Sequence, residues 1–216
     1  MSYNFKNLVF EGGGVKGIAY LGAIEVLNDK GILSQLQRVG GTSAGAINAI
    51  LIGLGFTPDE TRDVLWSLDF NKFMDDDWGV VRDTDRLIDE FGWYKGNFFR
   101  NWIGNLIREK TGNSESTFAD IEALKEKGKP FLSLYFMGTN LSTRFSEIFS
   151  AEHTPRMCVA DAVRISMSIP LFFAAKRSSR GDVYVDGGVL DNYPVKLFDR
   201  DKYVKPVNYS IPDYYA

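Results

Sequence analysis

Histidine and cysteine are almost missing from this chain of 216 residues, which has one of each, His153 and Cys158. A lone cysteine excludes an intramolecular disulfide and any cysteine-based metal cluster. The fold must therefore stand on its core, which suits a reducing compartment. Basic excess is missing as well: 25 Lys and Arg face 28 Asp and Glu, for a net charge of -3. Without a positive field, nucleic acid is not expected as a partner. Long apolar runs are also lacking. Residues 1–10 contain Asn4, Lys6 and Asn7 and no apolar h-region, so no signal peptide is read there. The most apolar stretch, residues 44–54, contains Asn48 and is short of the ~20 residues that span a bilayer. The expectation is a cytoplasmic or membrane-peripheral protein, with other secretion routes left open.

What is present suits one ordinary globular domain over residues 1–216, since 44% of residues are hydrophobic and 25% charged. No repeat, low-complexity tract or linker interrupts it. Residues 6–10 read as a short strand, followed by a glycine turn and a helix opened by Gly17, with Ile18, Leu21, Ile24 and Leu27 on one face. Residues 36–40 read as a second strand, and an alanine- and isoleucine-rich helix runs on to Leu54. Thr57-Pro58-Asp59-Glu60 is a capping box with proline at the first helical position. Strand, helix, strand, helix in this order predicts a parallel sheet with helices packed on it.

Asp75-Asp76-Asp77 with Gly79 reads as a solvated loop lacking calcium-loop spacing, so no metal is expected. Phe98, Phe99, Trp102, Ile103, Leu106 and Ile107 recur at helical spacing, which fits a buried helix face better than a lipid contact. The aromatic segment from Phe91 to Trp102 is nonetheless the candidate for peripheral membrane contact. Residues 117–127, closed by Gly128, and 159–167 read as helices; residues 131–137, 144–149 and 183–185 read as strands.

Gly41-Thr42-Ser43-Ala44-Gly45 fits the G-x-S-x-G nucleophile elbow, which wants a serine on a tight strand-to-helix turn. Glycines two before and two after let backbone pass without a Cβ clash. A serine hydroxyl is a weak nucleophile and needs a base. His153 lies in a turn-like segment ahead of the best-placed aspartate, which reverses the chain order of an α/β-hydrolase triad. Asp186 is the alternative. It follows Val183-Tyr184-Val185 at a strand end, and Gly187-Gly188 lets other backbone approach. Alone it would read as a β-turn aspartate; paired with the elbow it is the candidate base.

Gly12-Gly13-Gly14-Val15-Lys16-Gly17 also fits G-x-G-x-x-G, so a dinucleotide-binding site is the rival. That reading expects an acidic residue about twenty positions on, where Gln35-Leu36-Gln37-Arg38-Val39-Gly40 has none. A P-loop is excluded because Ile18 follows Gly17. Adjacent N–H groups in a glycine turn form an anion-binding nest, which beside a nucleophile serves as an oxyanion hole.

These three motifs, in this order, resemble the patatin-like phospholipases from about residue 8 to 194. Gly138-Thr139-Asn140-Leu141, Ser166-Met167-Ser168-Ile169-Pro170 and Asn192-Tyr193-Pro194 add to the likeness. The resemblance implies a three-layer α/β/α sandwich with a mainly parallel central sheet. It also implies a lipid acyl hydrolase of phospholipase A or lysophospholipase type, working without cofactor. Ser43 would be nucleophile, Asp186 base, and Gly12, Gly13, Gly14 and Val15 the oxyanion hole. Lys16 stands where the family carries Arg or Lys and would meet substrate. The expected partner is a phospholipid or another lipid ester. Family domains usually continue beyond the aspartate motif, so the C-terminal edge is expected to be short.

Overall fold

The computed structural model describes residues 4–68, 92–94 (backbone only), 96–178, 180–200 and 203. The acidic loop at Asp75–Asp77, Phe91 and the C-terminal Tyr214-Tyr215 lie outside these residues. In chain order the elements are β1 (Asn7–Phe10), α1 (Tyr20–Asp29), β2 (Arg38–Gly41), α2 (Ala44–Gly53) and α3 (Pro58–Trp66). Then come β3 (Gly92–Tyr94), α4 (Asn97–Thr111), α5 (Phe118–Glu126), β4 (Ser133–Asn140) and β5 (Phe145–Ser150). The chain continues with α6 (Val159–Ser166), β6 (Leu171–Phe173), β7 (Lys176–Arg177) and β8 (Val183–Asp186).

The first strands are parallel as expected: Phe10 lies opposite Gly41 across β1–β2, and Gly41 lies opposite Phe136 across β2–β4. The later strands join antiparallel. Only residues 141–144 separate β4 from β5, too few for a crossover, so a hairpin is forced, with Arg144 at φ 65° in its turn. β5 covers one edge of β4 from Tyr135 to Asn140. On the other edge, β2 pairs with residues 133–136 and β8 with residues 138–140. Two strands thus share one edge of β4 end to end, running toward each other. β7 extends β8, and β3 with β6 forms a separate parallel pair.

Side chains of β4 alternate between two cores, as strand geometry requires. Leu134 and Phe136 face the large core, with α2, Phe99 and Ile103 of α4, Phe118 and Ile121 of α5, and Val159 and Val163 of α6. Tyr135 and Met137 face a smaller one, under Leu197, Phe198 and Tyr203. Every residue of α2 is buried, which explains its all-round apolar sequence. On α4, Phe99, Ile103, Leu106 and Ile107 are buried, as the spacing predicted, while Phe98 is exposed. One face of α4 is therefore core and the other is exposed.

Two helix starts match their sequence signals and one does not. Thr57 caps α3 with both bonds of the capping box, Glu60 N–H to Thr57 Oγ1 (3.1 Å) and Thr57 N–H to Glu60 Oε2 (2.8 Å). Thr117 caps α5 in the same way, with Asp120. The helix expected from Gly17 begins instead at Tyr20, after a 3₁₀ stretch over Gly14–Ala19. Of its expected apolar face only Ile24 is fully buried, and Ile18 is exposed. Glycine is a poor helix former, so the chain takes short 3₁₀ bonds before α1 is established. No described helix is long and apolar enough to cross a membrane.

Candidate active site

The shared edge of β4 brings two distant motifs together. β2 ends at Gly41, opposite Phe136, and β8 ends at Asp186, opposite Gly138. Those endpoints are two residues apart along β4, about 7 Å of strand. Ser43 follows β2 by one turn and so meets the end of β8 head-on.

Ser43 sits at φ 54°, ψ -127°, a conformation rare for a residue with a side chain. The neighbours enforce it. A Cβ on Gly45 would meet Phe10 O at 2.5 Å and Glu11 O at 2.7 Å, and one on Gly41 would strike the Gly45 carbonyl. Both glycines of the elbow are thus required by backbone passing backbone. Thr42, wholly buried, donates from Oγ1 to Asp191 O at 3.0 Å, and Ala44 begins α2, directing the positive helix end toward Ser43.

Asp186 is 4% exposed. Its Oδ1 accepts from Gly188 N–H at 2.6 Å, while Oδ2 is buried with no hydrogen-bond partner among the described residues. Burial pushes its carboxyl up to about 6, against the smaller opposing pulls of the Gly188 N–H and the nearby Ser43 hydroxyl. The Ser43 hydroxyl is directed to Met167 Sδ at 3.7 Å. It therefore lies close enough to favour the Asp186 carboxylate without making a well-formed bond to it. A side chain added at Gly187 would meet Met137 O at 2.6 Å, and one at Gly188 would meet Asp186 Oδ1 at 2.9 Å. The glycines after the aspartate therefore leave room for β4 and for the carboxylate itself.

Gly12, Gly13, Gly14, Ser43 and Asp186 line one open cleft of about 290 Å³, with Ile169, Pro170 and Asn192. The glycine turn is not uniform. Gly12 N–H donates to Asn192 O at 3.0 Å, so that donor is committed. The first 3₁₀ bond runs from Lys16 N–H to Gly13 O at 3.1 Å. The N–H groups of Gly14 and Val15 precede it and have no intrahelical acceptor. Lys16 and Val15 are exposed, and neither lines the cleft. Val15 instead borders a second, apolar hollow with Ile18, Ala44, Ile47, Leu65 and Met167. That hollow, about 30 Å³, has room for one or two water-sized groups.

Histidine takes no part in the cleft. His153 Nδ1 pairs with Ser150 Oγ at 2.8 Å in the turn after β5, on the opposite edge of β4 from β8. No cluster of metal-ligating side chains occurs among the described residues.

The turn after α6 holds both Ser43 and Asp186, a role the sequence did not disclose. Ser166 Oγ accepts from Ser43 N–H at 3.0 Å, Met167 contacts Ser43 Oγ, and Ser168 O accepts from Asp186 N–H at 2.8 Å. Arg164, 1% exposed, braces this turn by donating to the carbonyl oxygens of Gly96 (3.2 Å) and Ala174 (3.0 Å) and to Ser168 Oγ (2.5 Å). Asn192 ties the remaining pieces, its amide donating to Gly12 O (3.0 Å) and Glu11 Oε1 (3.2 Å). The only sequence signal for either was membership of Ser166-Met167-Ser168-Ile169-Pro170 and Asn192-Tyr193-Pro194 in the family likeness.

The family model for patatin-like phospholipase matches residues 8–199. The chain belongs to the patatin-like phospholipases. Members of this family are lipid hydrolases. This patatin-like domain is 35% identical over 207 residues to the Bacillus subtilis protein YqhO, covering 90% of the chain and 67% of that relative. It is 33% identical over 197 residues to protein R571 of Acanthamoeba polyphaga mimivirus, covering 91% and 62%. A probable lipid hydrolase, 463L of invertebrate iridescent virus 6, is 28% identical over 199 residues, covering 89% and 63%. The chain thus spans about two thirds of the length of these relatives. Among solved structures, VipD from Legionella pneumophila shares the fold with a TM-score of 0.72 at 23% identity, over 89% of this chain and 47% of that one. The patatin-like fold, an α/β sandwich around a central sheet, is the architecture expected from the sequence.

Proposed function

We propose that the cleft hydrolyses carboxylic esters of lipids, with Ser43 as nucleophile and Asp186 as its base. The observation that carries this reading is the meeting of the β2 and β8 ends on one edge of β4, which places both side chains in a cleft walled by the glycine turn. Ser43 Oγ attacks the ester carbonyl carbon while its proton passes to Asp186 Oδ2, the carboxylate oxygen that no other described residue engages. A carboxyl raised to about 6 is ionised at neutral pH yet basic enough to take that proton.

The developing oxyanion is met by N–H groups of Gly13, Gly14 and Val15, with the α2 terminus adding to the field. Gly12 shapes the turn instead, because its N–H is held by Asn192. Loss of one oxyanion donor costs about 3 kcal/mol in the barrier. The alcohol then leaves with the proton from Asp186. Water, deprotonated by Asp186, releases the fatty acid and restores Ser43. Lys16, exposed on the glycine turn and outside the cleft, serves a phosphate head group by charge alone.

A phospholipid substrate of phospholipase A or lysophospholipase type is the reading the family favours. A fluorophosphonate probe tests the chemistry: wild type is labelled, and Ser43→Ala and unfolded protein are not. Mass spectrometry of products from mixed phospholipids then reports the bond cleaved. Free fatty acid in equal amount from wild type and Ser43→Ala would refute the proposal.

A further inference from the structure

Exposed hydrophobic side chains crowd round the cleft. Of the 15 large exposed ones among the described residues, two lie in residues 12–18, three in 169–172 and four in 188–195. These three segments wall the cleft and contribute its glycine turn, Ile169, Pro170 and Asn192. They are remote in sequence, so chance exposure of one loop does not account for the cluster. Val15 and Leu171 are each 63% exposed and Leu190 is 53% exposed. Leu171 is also held at φ 69°, where a bulky residue is strained. Keeping a strained leucine in water is doubly unfavourable unless it meets an apolar surface. Exposed lysines are interleaved with this rim: Lys16 between Val15 and Ile18, and Lys196 beside Val195.

We infer that the rim formed by residues 15–18, 169–172 and 189–196 seats on a lipid bilayer, with the cleft opening into it. The inference rests on the lipid-hydrolase reading of the cleft and adds where the substrate is taken from. Two observations favour a bilayer over a protein partner or a second copy. A protein seated on this rim would close the cleft that the substrate must enter, whereas a bilayer supplies the substrate through it. The apolar hollow lined by Val15, Ile18, Ala44 and Met167, about 30 Å³, is too small for a fatty chain, so the chain remains along the rim in apolar surroundings. The lysines suit the head-group level, their stems on apolar surface and their ammonium groups toward phosphate. This contact surface differs from the aromatic segment at Phe91–Trp102 suggested by the sequence, in which Phe99 is buried and Phe98 is exposed.

Flotation with vesicles of phosphatidylcholine and phosphatidylserine tests this, in a Ser43→Ala background so that no lipid is consumed. The Ser43→Ala protein floats with the vesicles. Leu171→Asn with Leu190→Ser lowers the bound fraction at least about tenfold, since losing one inserted leucine is worth more than that factor. Asparagine tolerates the left-handed conformation of residue 171. Phe5→Ser, an exposed apolar change at the opposite end of β1, leaves binding unchanged. With Ser43 restored, the double variant turns over a monomeric short-chain ester like wild type. Vesicle binding insensitive to the double variant, or equally weakened by Phe5→Ser, overturns the inference. So does conversion of a dimer to monomer by the double variant without loss of vesicle binding. Failure of wild type to cleave the short-chain ester, with rim-dependent flotation intact, would instead refute the hydrolase reading alone.

Discussion

The two strands that meet at the site hold their residues in opposite ways. On the β2 side, Ser43 is over-determined: backbone of Phe10 and Glu11 presses on Gly45, Gly41 passes under Gly45, and a fully buried α2 leads away. The strain at φ 54° is held by packing that has nowhere else to go. On the β8 side, Asp186 has one hydrogen bond to one carboxylate oxygen, and the turn that follows exposes Val189 and Leu190. Its unusual property comes from poor solvation and not from steric confinement. The proposed nucleophile is positioned by shape; the proposed base is tuned by what it lacks.

The largest effect expected from breaking the nucleophile side is in rate. Ser43→Ala and Ser43→Gly both abolish turnover, by on the order of five to six decades for a serine nucleophile. They separate in stability. Glycine accepts the positive φ that alanine does not, so Ser43→Gly melts higher than Ser43→Ala by about 1 kcal/mol in denaturant titration. Equal stability would show that the elbow imposes no strain.

Removing the base has two signs at once. Asp186→Asn lowers kcat about a thousandfold, within the range for a lost general base. It also stabilises the fold at neutral pH. The carboxyl reference value is 3.8 and the folded value about 6. As pH rises, the unfolded chain therefore releases this proton first, and stability falls between about pH 4 and 6. Above pH 6 the full cost remains, about 3 kcal/mol for a two-unit shift. Asparagine avoids that cost, so the variant is more stable than wild type at pH 8 and not at pH 3.5. The same titration gives kcat/KM an acid limb near pH 6, absent from the residual rate of Asp186→Asn. A limb near pH 4 would show that burial does not tune Asp186.

Glycine substitutions sharpen the contrast further. Gly45→Ala forces a Cβ against two carbonyl oxygens and costs about 2–3 kcal/mol, as overpacking against unyielding backbone does. Gly188→Ala meets Asn192 Oδ1 at 2.8 Å and Asp186 Oδ1 at 2.9 Å, both ends of side chains. It costs about 1 kcal/mol in stability, while displacing the carboxylate and lowering kcat. Thermal unfolding with parallel kinetics on both variants separates shape from tuning.

The same contrast decides what was legible in the sequence. The elbow was readable because the need for glycine at 41 and 45 is written into five consecutive residues, even though Phe10 and Glu11 that press on Gly45 lie over thirty residues away, and the capping box at Thr57 is local. The elbow and aspartate motifs accordingly fall at the ends of β2 and β8. What was hidden depends on partners far along the chain. That β8 runs antiparallel, on the same edge of β4 as β2, follows from pairing that no periodicity encodes. Commitment of the Gly12 N–H to Asn192, 180 residues away, could not be read from a glycine run. β6 and β7, of three and two residues, are too short to show a pattern.

The smallest quantified effect on rate concerns the piece that touches both sides. Ser166 is fully buried and accepts from the Ser43 backbone N–H, two residues before Ser168 accepts from Asp186 N–H. Ser166→Ala leaves the Ser43 N–H without its acceptor, a loss of about 1–2 kcal/mol for a buried donor. If Ser166 only supports the fold, denaturant titration records that loss while kcat is unchanged. If it fixes the angle at which Ser43 meets Asp186, kcat falls roughly tenfold with KM unchanged, because a small misplacement of reacting atoms acts on the transition state more than on the bound ester. The second outcome is expected, since the α6 turn is the one described segment that bonds to both backbones, and a shift in either would open the gap between Ser43 Oγ and Asp186 Oδ2.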